Sequence, residues 1–216
     1  MTRETDVLLR LGRVRLVPMA TVDDADQAEL VAHALVRGGL RCLELTFRTE
    51  VTLEAIARVR SAVPEMLLGA GTVLSVEQAQ SAAGAGVDFA VAPGTNEEVV
   101  AVCREIGLPF FPGVATPSEI ERARQLGLRT LKVFPIAQLG GVCFLRAVSV
   151  TYPDVRFVAS GGIDAAALSV YLALPSVLAC GGSWLVRPEL LRGGRFDEVE
   201  RLAREAVKLS LAADSS

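Results

Sequence analysis

Two periods of apolar and polar residues take turns along this chain. Runs such as Leu43-Glu44-Leu45-Thr46 and Thr130-Leu131-Lys132-Val133-Phe134 repeat every two residues, as strands do. The stretches between them, such as 24–37 with Ala25, Ala28, Leu30, Val31, Ala34 and Leu35, repeat at helical spacing. Residues 2–11 read as a short leading helix. Strands are predicted at 14–19, 41–46, 66–70, 87–91, 109–112, 130–134, 155–159 and 177–180. Helices follow them at 24–37, from Val51 to just before Pro64, and at 76–85, 96–106, 117–126, within 140–149, 164–173 and 196–211. A small turn at 183–186 comes before the last helix, and the tail 212–216 reads as frayed. Asp23 or Asp24 can cap the second helix, and Gly38-Gly39 stops it. Thr116-Pro117-Ser118-Glu119 carries a capping residue, a proline at the first helical position and a glutamate three residues on.

Eight strand–helix units in about 200 residues is the count for a single (β/α)8 barrel. Residues 1–216 are therefore expected to form one barrel domain with a short N-terminal helix. A doubly wound open sheet normally uses fewer strands for this length.

Composition narrows the function. Half the residues are hydrophobic (51%) and 22% are charged, ordinary values for a soluble protein with a large core. The net charge is −3 and the basic residues are scattered, which argues against a nucleic-acid surface. Met-Thr-Arg-Glu-Thr-Asp has no apolar segment behind it, so no signal peptide is read. The apolar stretch 171–186 is too interrupted by Pro175, Gly181 and Gly182 to span a membrane. A cytoplasmic protein is expected. Cys42, Cys103, Cys143 and Cys180 are far apart and read as buried, reduced thiols. The single His33 excludes a histidine metal cluster, and no carboxylate spacing suggests a catalytic metal.

Two charges stand out against this background. Lys132 is an ammonium in a short, largely apolar strand, where Thr130 and Phe134 share its face and Leu131 and Val133 take the other. Burial disfavours the charged form of an amine, and a neutral amine in a protected cavity is a nucleophile for carbonyls through a Schiff base. Glu44 sits between Leu43 and Leu45, which would face outer helices, so Glu44 faces inward with Cys42 and Thr46. It reads either as half of a structural ion pair with Lys132 or as the acid/base that imine chemistry needs. Arg48 could grip a substrate carboxylate, or be a solvated arginine at a helix entrance. Thr72 could orient a carbonyl or carboxylate, or merely cap a helix. In such barrels the loops after strands seven and eight form the usual phosphate site. Here those loops carry Ser160-Gly161-Gly162 and Gly181-Gly182-Ser183. Their backbone amides and a helical turn beginning at Ser183 would favour an anion.

The motifs Leu43-Glu44-Leu45-Thr46-Phe47-Arg48-Thr49, Gly69-Ala70-Gly71-Thr72-Val73-Leu74, Pro112-Gly113-Val114-Ala115-Thr116-Pro117-Ser118-Glu119, Leu131-Lys132-Val133-Phe134-Pro135, Ser160-Gly161-Gly162 and Gly181-Gly182-Ser183-Trp184-Leu185-Val186 resemble the 2-keto-3-deoxy-6-phosphogluconate (KDPG) aldolase family. The resemblance implies a class I aldolase that cleaves KDPG to pyruvate and glyceraldehyde 3-phosphate, with 4-hydroxy-2-oxoglutarate as a further substrate in some members. It places the Schiff-base lysine at Lys132, the acid/base at Glu44, the pyruvate-carboxylate arginine at Arg48 and a pyruvate-contacting threonine at Thr72. Pro93 and Phe134 match residues lining the pyruvate pocket. Ser160 stands where the family has a threonine, and Gly161, Gly162, Gly182 and Ser183 match its phosphate-binding backbone. It also implies no cofactor beyond the lysine imine, the last step of the Entner–Doudoroff pathway, and a homotrimer. After the lysine strand, Phe134-Pro135-Ile136-Ala137 replaces the common Phe-Pro-Ala-Glu, a departure at the aldehyde end. The alternatives are an aldolase for the phosphogalactonate epimer, a non-covalent phosphate-binding isomerase, and a phosphometabolite-binding protein.

Overall fold

The alternating runs become strands and the amphipathic stretches become helices in the structure, a computed structural model that describes residues 2–213. A leading helix α1 (Arg3–Val14) is followed by β1 (Leu16–Ala20), α2 (Ala25–Arg37), β2 (Cys42–Thr46), α3 (Thr52–Ala62) and β3 (Leu67–Gly71). Next come α4 (Val76–Gly84), β4 (Phe89–Val91), α5 (Glu97–Glu105), β5 (Phe110–Phe111), β6 (Gly113–Val114) and α6 (Pro117–Gln125). The chain ends with β7 (Thr130–Val133), α7 (Gly141–Thr151), β8 (Arg156–Ala159), α8 (Ala165–Leu172), β9 (Val177–Gly182), a 3-10 turn (Ser183–Val186), α9 (Pro188–Arg192) and α10 (Phe196–Ala213).

The strands pair in the order β5-β4-β3-β2-β1-β9-β8-β7-β6. Every pairing is parallel. Because β5 and β6 are separated only by Pro112, they are two halves of one strand, and the ring closes through it into the expected barrel. A proline has no amide to give a ladder, which is why the fifth strand divides there.

Strand parity sorts the side chains into two cores. Leu43 and Leu45 of β2 and Leu131 and Val133 of β7 lie in the outer core, between the barrel and the helices. Val17, Cys42, Leu67, Phe89, Val91, Phe111 and Ala179 form a separate inner core, packed against Val7 and Leu11 of α1. The leading helix therefore closes the end of the barrel where the strands begin. Phe89 and Phe111 meet there with ring centroids 5.9 Å apart. Gly69 makes room for them, since a Cβ on it would come within 2.3 Å of the Phe89 ring.

Several boundaries differ from the sequence reading. The first helix runs to Val14 and ends on Arg15 in a left-handed conformation (φ 55°), which delays the first strand to Leu16. The strand read at 87–91 begins only at Phe89, and the last strand extends to Gly182. Five-residue α9 was not foreseen, because it is too short to show a period. Asp24 caps α2 through the Asp26 amide, and Thr116 and Glu119 form the full capping box of α6. Of the tail read as frayed, Ala212 and Ala213 continue α10, and 214–216 lie outside the described residues. Among the described residues, no helix is long and apolar enough to cross a membrane.

Candidate active site

The inward positions change character above the apolar inner core. Cys42 belongs to the inner core, and two residues further along β2 comes Glu44, then Thr46 at the mouth. Lys132 enters from β7, held by its amide's hydrogen bond to the Pro112 carbonyl (2.9 Å) and paired in register with Gly113. The two charged side chains meet: Lys132 Nζ lies 3.6 Å from Glu44 Oε1, with the residues only 6% and 3% exposed. That separation is longer than a hydrogen bond, and Glu44 Oε1 is a buried acceptor with no hydrogen-bond partner. An unpaired buried acceptor is costly, so this atom is positioned to take a hydrogen from water or a substrate hydroxyl.

The neighbouring backbone makes room for this pair. Gly71, opposite Thr46 in the β2–β3 ladder, lies so close that a Cβ on it would come 2.0 Å from Glu44 Oε1. Thr72 follows in the left-handed region (φ 60°), which turns the chain over the site. The Phe134 ring centroid is 5.8 Å from Lys132 Nζ, close enough for its face to attract a cation. A cavity of about 360 Å³ is lined by Lys132, Glu44, Arg48, Thr72, Pro93, Phe134, Ser160, Gly161 and Ser183. These nine residues were all picked out from the sequence.

Gly162 and Gly182, also picked out, do not line the cavity. Both Gly161 (φ 95°) and Gly162 (φ 79°) are left-handed. Gly162 packs against Ala137, and Gly182, the N-cap of the 3-10 turn, packs against the Trp184 ring. The cavity also includes Met19, Thr21, Val186 and Pro188, which were not picked out, and Thr46, already read as facing inward with Glu44. The first two were legible, since Val17, Met19 and Thr21 share a parity on the first strand, but neither is charged and neither draws the eye.

The thiols play no part in this chemistry. Burial pushes the Cys42 thiol upward, and the nearby Glu44 carboxylate pushes it further. Burial alone raises Cys103 to about 11, and it raises Cys180 to about 12 against a small opposing pull from Arg15. All three stay protonated and un-nucleophilic at neutral pH. Cys143, expected to be buried, is exposed on α7, whose inward face is formed by Leu145 and Val148. Among the described residues, no group of three His, Cys, Asp or Glu side chains could hold a metal ion. A cavity of about 330 Å³ also opens beside the start of α1. Its guanidiniums, Arg3 and Arg104, are spent on the carbonyls of Val87 and Leu126, and it contains no counterpart to the buried amine–carboxylate pair.

A buried amine with a carboxylate 3.6 Å away shares its cavity with a guanidinium and a threonine. The sequence model of the KDPG and KHG aldolase family matches residues 7–202. The chain belongs to the KDPG and KHG aldolase family. Within it, this family member is 47% identical over 199 residues to the 2-dehydro-3-deoxy-phosphogluconate aldolase of Treponema pallidum, covering 92% of this chain and 95% of that one. Among solved structures, it is similar to the KDPG aldolase of Legionella pneumophila with pyruvate captured as a covalent carbinolamine. The TM-score is 0.89 at 32% identity, covering 93% of this chain and 97% of that one. It is also similar to the KDPG aldolase of Zymomonas mobilis with 3-phosphoglycerate, at a TM-score of 0.86 and 34% identity, covering 94% and 95% of the two chains. This aldolase-family chain thus has the barrel of its relatives, with its amine and carboxylate facing each other in the cavity.

Proposed function

We propose that the chain, acting as one domain, is a class I aldolase that cleaves KDPG to pyruvate and glyceraldehyde 3-phosphate through a Schiff base on Lys132. The observation that carries this reading is the buried amine 3.6 Å from a carboxylate in the barrel cavity of a chain from this family. Arg48 and Thr72 hold the C1 carboxylate. The phosphate is held at the other end, by backbone amides of Gly161, Gly162 and Gly182 and the Ser183 hydroxyl. Pro93, Phe134 and Ser160 shape the walls between.

Lys132 passes an ammonium proton to Glu44, and its freed Nζ adds to the C2 ketone, giving a carbinolamine. Glu44, acting through a water, gives the proton on which the C2 hydroxyl leaves as water, and an iminium remains. The Glu44 carboxylate then takes the proton from the C4 hydroxyl. The C3–C4 bond breaks, its electron pair moves through C3 and C2 to the iminium nitrogen, and C4 departs as the aldehyde. The enamine is protonated at C3 by Glu44, and water hydrolyses the imine to free pyruvate. The imine itself is the electron sink, so no cofactor is required.

The same pyruvate end serves 4-hydroxy-2-oxoglutarate, which would yield pyruvate and glyoxylate. A homotrimer, a cytoplasmic location and a place at the end of the Entner–Doudoroff pathway complete the proposal on the strength of family membership. An apolar hollow where Val150, 84% exposed, lies near Leu174 and Pro175 gives an assembly a surface to cover.

Borohydride added with pyruvate tests the covalent step. The wild type should gain one pyruvate-derived adduct, mapped by mass spectrometry to Lys132, and Lys132→Ala should gain none there. An unlabelled wild type would leave the non-covalent isomerase or binding protein in possession of the site. A coupled assay of pyruvate release from KDPG, its galactonate epimer and 4-hydroxy-2-oxoglutarate, run side by side, ranks the substrates.

A further inference from the structure

In the ring β1 lies between β2, the strand that carries Glu44, and β9, the strand that leads to Ser183. Its Met19 is in register with Glu44, and its Pro18 with Gly182. Its last residue, Ala20, pairs with Leu45, so Thr21 comes next at the mouth, beside Thr46. Thr21 is partly exposed and lines the cavity.

The hydrogen bonds at this spot leave Thr21 with unused capacity. The Thr21 and Thr46 hydroxyl oxygens are 2.7 Å apart, and Thr46 Oγ1 is 3.3 Å from the Ala20 carbonyl. If Thr46 donates to Ala20, Thr21 donates to Thr46 and keeps both lone pairs. If Thr46 donates to Thr21, Thr21 keeps its hydrogen and one lone pair. In both arrangements the pair ends at Thr21, and a partner that can both donate and accept suits either. A substrate hydroxyl is such a partner.

The geometry points to Thr21 as a specificity-determining residue that hydrogen-bonds the C5 hydroxyl of the phosphorylated substrate. The inference rests on the aldolase reading above. With C4 held at Glu44 on β2 and the phosphate at the loops after β8 and β9, the carbons between run past the mouth of β1, the strand between β2 and β9. The C4 hydroxyl is engaged by Glu44, so the C5 hydroxyl is the group left for Thr21. A site that hydrogen-bonds a hydroxyl discriminates against an analogue that lacks it. Thr21 would therefore select for hydroxylated acceptor aldehydes and take no part in bond cleavage.

The test runs the reaction as condensation, with pyruvate and one of two aldehydes. Glyceraldehyde 3-phosphate carries the hydroxyl that becomes the one on C5, and 3-oxopropyl phosphate lacks only that hydroxyl. The ratio of their kcat/KM values is measured in wild type, Thr21→Val and Thr21→Ser. Valine has nearly the same shape as threonine without the hydroxyl. The expected result is a fall of about tenfold in the ratio for Thr21→Val, the size of one neutral hydrogen bond, with recovery in Thr21→Ser. A ratio that is the same in Thr21→Val as in wild type, or equal losses on both aldehydes, overturns the assignment. A wild type that condenses pyruvate with neither aldehyde overturns the aldolase reading itself, and this inference with it.

Discussion

Replacing Glu44 by Gln keeps the side chain's shape and removes its ability to carry a proton. General acid/base work is worth ~10²–10⁴-fold, so Glu44→Gln should lose turnover in that range. Its pyruvate affinity, proposed to rest on Arg48, Thr72 and the lysine, should change far less. Steady-state kinetics beside a pyruvate-protection titration separates the two, and equal losses in both would make Glu44 a structural partner only. The pair is also asymmetric for stability. Lys132→Ala would strand a buried carboxylate at a cost of about 3–5 kcal/mol, so its labelling has to be judged on protein whose fold has been checked by circular dichroism. Both residues were legible in the sequence because a charge inside an apolar strand is a visible anomaly. Thr21 and Met19 share the cavity, and strand parity pointed them inward, but neither carries a charge that marks it out. Gly162 and Gly182, proposed to offer their backbone amides to the phosphate, do not line the cavity themselves, and a Gly-Gly pair in the sequence does not show which of its residues faces inward.

Two positions around the split strand separate a local contribution from a closing one. Thr116 accepts from the Glu119 amide, and Glu119 in turn accepts from the Thr116 amide, at the start of α6. Thr116→Ala should cost about 1 kcal/mol, the usual value for a lost cap. Gly113 is different in kind. A Cβ there would lie 2.0 Å from the Pro93 carbonyl oxygen, so it would meet backbone rather than a movable side chain. The Gly113 amide also donates to the Gly94 carbonyl, tying β6 to the loop after β4. Gly113→Ala should therefore destabilise by considerably more than Thr116→Ala in urea unfolding, and the reverse order would show that closure does not depend on this approach. The capping box was readable from four consecutive residues. The late start of β1 and the short α9 were not, because the first depends on Arg15 taking a left-handed conformation after α1 and the second is too short to show a period.

At the scale of the molecule, the count of strand–helix units was enough to give the barrel, since few other arrangements bury so many alternating elements in a chain of 216 residues. What the count left out was the part played by the leading helix. Val7 and Leu11 of α1, 2% and 1% exposed, pack under the inner core and close that end of the barrel. A barrel stoppered at one end has one door. If pyruvate is tethered to Lys132 above that floor, as proposed, it lies behind the aldehyde fragment, which sits nearer the opening. The products must then leave in a queue, aldehyde first and pyruvate last, and the condensation must load them in the opposite order. In cleavage kinetics pyruvate should inhibit competitively against the keto acid and glyceraldehyde 3-phosphate non-competitively, while two competitive patterns would mean that departure is random. The covalent chemistry asks for the same order, since the imine is hydrolysed only after the aldehyde has gone, and the closed floor leaves the products no second way out.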